Sequence, residues 1–224
     1  MEEPPKPEGG MNPRTWRACC LAPALAIGSI LLLVVGASLF NSRPASRHPA
    51  PPRSHTREAF IQFGREFFVI AKSADKVSEQ AFKTLQSKIQ GSGSMEEVHS
   101  AFQAASDANR RASDDFMKLK IPQSLQSQSK LRLSVATMSK GYYARKLACD
   151  ILVEWNGDLN DQQTGEKYRR QVEEINRLTQ EGLGYLADAA NDNGITQDDA
   201  RRFVPSAIFS EKNAFNADQI PWRH

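Results

Sequence analysis

The chain is poor in the residues that specialised protein classes require. Three Cys in 224 residues exclude a disulfide-stapled scaffold and a multi-Cys zinc site. Twelve Pro and thirteen Gly are too few for a fibrous or low-complexity chain. Charge of one sign is nearly missing. The 29 Lys+Arg face 26 Asp+Glu, a formal +3, which excludes a strongly basic nucleic-acid binder and an acidic disordered tail. There is no Gly-rich phosphate loop and no G-x-S-x-G elbow. Asn-x-Ser/Thr sequons are absent too, which agrees with a bacterial source. What is present is ordinary: 40% apolar and 25% charged residues, with a mean hydropathy of −0.53, as in a soluble globular chain.

The +3 is a local feature. Residues 1–56 hold six basic side chains (Lys6, Arg14, Arg17, Arg43, Arg47, Arg53) and three acidic ones (Glu2, Glu3, Glu8), whereas residues 57–224 balance at 23 of each. Between Arg17 and Arg43 run 25 uncharged residues, ACCLAPALAIGSILLLVVGASLFNS. As a helix they reach ~37 Å, enough for a ~30 Å hydrocarbon core. If Pro23 trims the first turn, Ala24 to Phe40 still spans ~25 Å, tolerable with local thinning. Residues 18–42 are therefore expected to form a single membrane helix. The rival is a signal peptide cut after Ala37. Against it, the apolar run continues through Leu39 and Phe40, and the long N-terminus begins acidic. Cys19 and Cys20 precede the apolar run, so a lipoprotein signal does not fit. They read as small apolar residues at the membrane edge in preference to palmitoylation sites.

Orientation rests on a near tie, with Lys6, Arg14 and Arg17 on one side and Arg43, Arg47, Arg53 and Arg57 on the other. The favoured arrangement has residues 1–17 as a cytoplasmic tail and 18–42 as a signal anchor in the lipid bilayer of a bacterial inner membrane. The C-terminal domain is then periplasmic, and its single thiol, Cys149, neither permits nor requires an internal disulfide. Residues 43–56 carry four Pro among Ser, Arg and Ala, the composition of an extended, semi-rigid stalk. His48 and His55 read as solvated residues within it.

From residue 57 the apolar residues keep a helical period. Phe60, Phe67, Ala74 and Ala81 alternate with Phe63, Ile70, Val77 and Leu85, with Thr56 as a candidate N-cap and Gly91-Ser92-Gly93 as the stop. Ser94-Met95-Glu96-Glu97 matches a capping box. It opens a second stripe of Val98, Ala101, Phe102, Ala105, Ala112, Phe116 and Leu119. Ile121-Pro122 breaks the pattern. A third stripe holds Leu131, Val135, Met138, Tyr142, Cys149 and Leu152 and ends at Asn156-Gly157-Asp158. The fourth runs through Tyr168, Val172, Ile175, Leu178, Tyr185, Leu186 and Ala189 to Asn193-Gly194. The fold class predicted is all-α: an antiparallel up-down-up-down four-helix bundle over residues 57–194.

Thr196 to Asp199 is a further capping box, for a short helix ending near Phe203, before Pro205. The remaining tail carries Phe209, Phe215, Ile220 and Trp222, too many large apolar residues for a disordered segment. Helix 1 outlasts helix 2 by about ten residues, ~15 Å, and is apolar on more than one face there. Residues 195–224 are expected to pack over Ile61, Phe63, Phe67 and Phe68. The alternative makes those four residues a surface for a protein partner or a second copy.

The search for chemistry returns little. Glu96-Glu97-Val98-His99 supplies one Glu-x-x-His, but a di-iron bundle needs two, and first-turn carboxylates suit a helix dipole without any metal. The haem-attachment sequence is absent. An axial His99 with Met117 or Met138 has no further support. Cys149 as nucleophile needs a His base, and His99 is the only His within residues 57–194. The doublets Arg110-Arg111, Arg145-Lys146, Arg169-Arg170 and Arg201-Arg202 have acidic neighbours at helical spacing and read as a solvated, salt-bridged face. No metal, cofactor or nucleic acid is expected. The leading expectation is a membrane-tethered, non-enzymatic interaction module for a protein partner or for self-association. The alternative is a small-molecule sensor or carrier with a pocket near His99, Tyr142 and Tyr185, and an enzyme comes third.

Overall fold

The computed structural model describes residues 54–204. They form four long helices, α1 Ser54–Ile89, α2 Met95–Lys118, α3 Ser129–Glu154 and α4 Gln162–Asp192, then a short α5, Gln197–Arg201. A single 3-10 turn, Gln123–Leu125, joins α2 to α3, and no strand occurs among the described residues. The all-helical class is therefore as predicted. The cytoplasmic tail, the anchor at 18–42, residues 43–53 of the stalk and the tail from 205 lie outside the described residues. Among the described residues no helix is long and apolar enough to cross a membrane.

Local chemistry sets the helix ends. α1 is already helical at Ser54, so Thr56 lies in the first turn and is not the N-cap. Pro52 is the last proline of the stalk sequence, and nothing after it opposes a helix. At the other end Gly91 takes φ 91°. There the Gly91 N–H donates to Lys88 O at 3.0 Å and Ser92 N–H to Ser87 O at 2.9 Å, a Schellman stop. The α2 capping box is made in both directions: Glu97 N–H to Ser94 Oγ at 3.1 Å, and Ser94 N–H to Glu97 Oε2 at 2.8 Å. Asp161 caps α4 by accepting from Thr164 N–H at 3.1 Å. Gly194, at φ 61°, ends it with a second Schellman pattern, Ile195 N–H to Ala190 O at 3.0 Å. Thr196 and Asp199 form the capping box of α5.

Each long helix packs most closely on the next in the chain. The rings of Phe67 and Phe116 lie 4.9 Å apart and those of Phe82 and Phe102 5.1 Å apart, so α1 and α2 run in opposite directions. Phe116 stacks on Tyr142 of α3 at 5.3 Å, and Ser134 donates to Gly182 O of α4 at 2.7 Å. Gly182 is needed there, because a Cβ on it would fall 2.9 Å from Met138. The predicted stripes are buried, with Ile70, Val77, Ala101, Leu119 and Tyr185 only partly so. α1 buries a wider face than its stripe predicts, adding Ile61, Phe68 and Phe82.

The overhang of α1 is not an open surface. Phe60, Ile61, Phe63 and Phe67 are 0–1% exposed and Phe68 5%, so the four residues considered as a partner surface belong to the core. Their cover includes the 3-10 turn, whose Leu125 is fully buried, and α5. The Phe203 ring sits 6.0 Å from Phe60 and 6.2 Å from Phe68. It lies against Gly64, where an added Cβ would come within 2.4 Å of the ring. Arg57 grips Asp199 with two hydrogen bonds of 2.8 and 2.6 Å, and Arg202 reaches Glu58 at 3.2 Å. Among the described residues the covering contact comes from α5 and Phe203, which brings the end of the described chain back to its beginning.

Candidate functional site

Two apolar clusters fill the interior. One gathers Phe60 to Ala74, Ala112, Phe116, Leu131 to Tyr142 and Phe203. The other gathers Ala81 to Leu85, Val98 to Ala105, Ala144 to Trp155 and Tyr168 to Leu178. Between them lies a layer of polar side chains. Ser78 of α1, Asn109 and Ser113 of α2, Ser139 and Arg145 of α3 and Thr179 of α4 are all buried there. Each occupies a core-facing position at helical spacing from its apolar neighbours, so the helices bring them together at one level.

Arg145 dominates this layer. Its side chain is 7% exposed and pairs with Asp75 of α1, which is 35% exposed and so links the layer to solvent. The guanidinium also lies 4.5 Å from the centroid of the Tyr142 ring, a cation–π contact. The Tyr142 hydroxyl donates to Asp75 Oδ1 at 3.2 Å. Burial, reinforced by the Asp75 charge, holds the phenol far above its usual range. Burial also opposes the Arg145 charge, but Tyr142 and Asp75 outweigh it and raise the guanidinium pKa. Arg145 was expected on a solvated face. It is buried because its partner stands on a different helix. The solvated reading does hold for Arg110, Arg170 and Arg201, which pair along their own helices with Asp107, Glu166 and Asp198.

Next to the ion pair, Asn109 Nδ2 donates to Ser78 Oγ at 2.9 Å and Ala105 O at 2.8 Å, and lies 3.8 Å from Cys149 Sγ. Ser113 and Ser139 meet at 3.1 Å. Asn109 Oδ1 and the Tyr168 hydroxyl are buried without a hydrogen-bond partner. Burial first, then the Asp150 charge, pushes the Cys149 thiol far up, so it stays protonated and unreactive at neutral pH.

The residues proposed for an inter-helix pocket are not assembled. Tyr142 belongs to the polar layer. His99 is partly buried elsewhere, with Nε2 2.7 Å from Trp155 O beyond the end of α3, thirteen residues and ~20 Å of helix from Tyr142. Tyr185 is half-buried on α4 and donates to Glu181 at 3.1 Å. Their shared helical spacing places them on inward-leaning faces, but at three different levels.

A second feature lies on the outside of α3. Leu133 (46% exposed), Ala136, Lys140, Tyr143 (51% exposed) and the half-buried Leu147 follow one another at three- and four-residue steps and therefore share one face. The outward faces of α1 (Arg65, Lys72, Lys76, Glu79, Lys83, with a lone exposed Val69 among them) and α4 (Glu166, Arg170, Glu173, Arg177) are mostly charged instead. α3 is apolar on both sides, which a helix with solvent on its outer face does not need.

No protein-family model matches the chain, and no curated protein or solved structure is detectably similar to it.

Proposed function

We propose that this chain is a membrane-tethered, non-enzymatic module in which an up-down-up-down four-helix bundle, held outside the bacterial inner membrane by the anchor at 18–42 and the Pro-rich stalk, binds a protein partner. The supporting observation is the apolar outer stripe of α3. Lone exposed apolar residues are normal, whereas a row along one helix face is the form in which a helix offers itself to another. Self-association is the weaker variant. Lys140 stands midway between Leu133 and Leu147, so a two-fold pairing of the stripe would set Lys140 against its own copy. A partner segment with an acidic residue opposite Lys140 meets no such penalty. Asp75, Arg145 and Tyr142 inside the bundle are tied to one another, as are Ser113 and Ser139, which suits a rigid platform.

Photo-crosslinking side chains placed at Leu133 and Tyr143 of the full chain in cells test this, with Lys76 and Glu173 as controls. One protein adduct from the α3 positions, lost on Lys140→Glu, is expected. Absence of any protein adduct at α3 refutes the reading. Protease treatment of spheroplasts tests orientation, and a domain left untouched overturns it. A second reading, a carrier of a small polar ligand, draws on the unpartnered Asn109 Oδ1 and Tyr168 hydroxyl. It requires a ligand retained through purification and lost in Tyr168→Phe.

A further inference from the structure

The chain contains two Asn-Gly dipeptides, Asn156-Gly157 and Asn193-Gly194, and the fold treats them in opposite ways. Asn193 is buried and its amide is tied on every side. Oδ1 accepts from Gln128 Nε2 at 2.6 Å, while Nδ2 donates to Gln128 Oε1 at 2.8 Å and Ala189 O at 2.6 Å. Asn156 is exposed, in the turn between α3 and α4. Its Oδ1 accepts the backbone N–H of Asp158 at 2.9 Å, and among the described residues no bond from its Nδ2 accompanies it. The following Gly157 has no side chain to shield its nitrogen and takes φ 89°.

We propose that Asn156 is a modification site of the folded protein, converting spontaneously to aspartate and isoaspartate, with water as the only co-reactant. The Gly157 amide nitrogen attacks Cγ of Asn156 and loses its proton. The side-chain amide leaves as ammonia, closing a five-membered imide. Water then adds to one of the two imide carbonyls. Opening at the side-chain carbonyl gives aspartate, and opening at the backbone carbonyl gives isoaspartate, whose main chain runs through the former side chain. Attack on Cγ builds negative charge on Oδ1. That is where the Asp158 N–H already points, so the turn supplies a donor for the charge that develops. At Asn193 the same attack requires the amide to leave its three hydrogen bonds.

Modification changes the end of the helices where the α1–α2 and α3–α4 connections meet. The Trp155 indole N–H donates to Asp158 O at 2.9 Å across this turn, and Trp155 O is held by His99. An isoaspartyl link lengthens the backbone between the two ends of that bridge. Either product also adds an anion beside Asp158.

The test is peptide mapping of the full chain, folded, at neutral and mildly alkaline pH, with isoaspartate detected by mass spectrometry and enzymatic methylation. Asn156 is expected to convert at least ~10-fold faster than Asn193, the ratio set by only ~1.4 kcal/mol of extra protection. In denaturant the two sites should converge, because only the fold separates them. Equal conversion of both sites in the folded protein overturns the proposal, as does slower conversion at Asn156 than at Asn193. Asn156→Gln, which leaves Gly157 and its φ unchanged, should abolish the signal from this peptide. Persistence of isoaspartate there would also overturn the assignment.

Discussion

Phe203 and Gly64 are expected to show a reversal of sign when mutated together. Phe203 is 7% exposed and its ring meets Phe60, Phe68 and the bare backbone of Gly64. Phe203→Ala should cost ~3–5 kcal/mol, as for other buried Phe positions. Gly64→Ala places a Cβ 2.4, 2.7 and 2.9 Å from three ring carbons of Phe203, too close for the ring to stay. Overpacking of this kind costs ~1–3 kcal/mol. Against it stands the ~0.5–1 kcal/mol that alanine returns over glycine inside a helix. A net loss of ~1 kcal/mol is left for the single change. With Phe203 already truncated these three contacts are gone, and Gly64→Ala should then stabilise by ~0.5–1 kcal/mol. Urea unfolding of the four proteins, followed by circular dichroism, measures the cycle. If Gly64→Ala destabilises by the same amount in both backgrounds, the close seat of Phe203 on α1 is refuted.

Three further outcomes follow from the buried groups. Burial opposes the Asp199 charge, but the Arg57 hydrogen bonds, those of Thr196 and the Arg57 charge outweigh it and lower the carboxyl pKa. A carboxylate depressed on folding contributes stability above its unfolded pKa of ~3.9, and this is lost as pH falls through the folded value. The urea midpoint should therefore drop below ~pH 4 in the wild type and less steeply in Asp199→Asn, and parallel curves would contradict the assignment. Asp75→Ala leaves the Arg145 cation buried and should cost ~3–5 kcal/mol. Arg145→Met leaves only the partly solvated Asp75 and should cost clearly less, so equal losses by denaturation would count against the asymmetry. Cys149 should resist a maleimide in the native protein in a Cys19→Ser/Cys20→Ser background and react fully in denaturant. Rapid native labelling would contradict its burial.

Helix boundaries were legible because they are written in short-range chemistry. Ser94 with Glu97, Thr196 with Asp199, Gly91 and Gly194 each form the stop or start that their residue types permit. The apolar stripes likewise marked most of the core. The polar layer was legible only as a set of gaps. Asn109 falls between Ala105 and Ala112, and Arg145 between Tyr142 and Cys149, each where an apolar residue would continue the stripe. Periodicity marks such a gap without saying whether a partner exists, because Asp75 lies 70 residues from Arg145 and only packing brings it near. That Phe203, within the 195–224 segment expected to cover α1, is the ring that reaches Phe60 and Phe68 was not legible for a related reason. Phe203 looked like the end of a small helix, and nothing local shows that Gly64 leaves a seat for its ring. The outer stripe of α3, Leu133, Tyr143 and Leu147, also keeps a helical spacing, but periodicity alone does not say which of two apolar faces a helix buries.

The contact between the two ends of the described chain also imposes an order on synthesis. Arg57 leaves the ribosome 142 residues ahead of Asp199. At ~5–20 residues per second that is a wait of ~7–30 s. Through that interval Phe60, Gly64 and Phe68 have been made but the ring that covers them has not. The nascent chain therefore carries an unshielded aromatic face until residue 203 is translated. A chaperone or targeting factor has its longest opportunity at that face, and a ribosome stalled before residue 203 would leave the face permanently open.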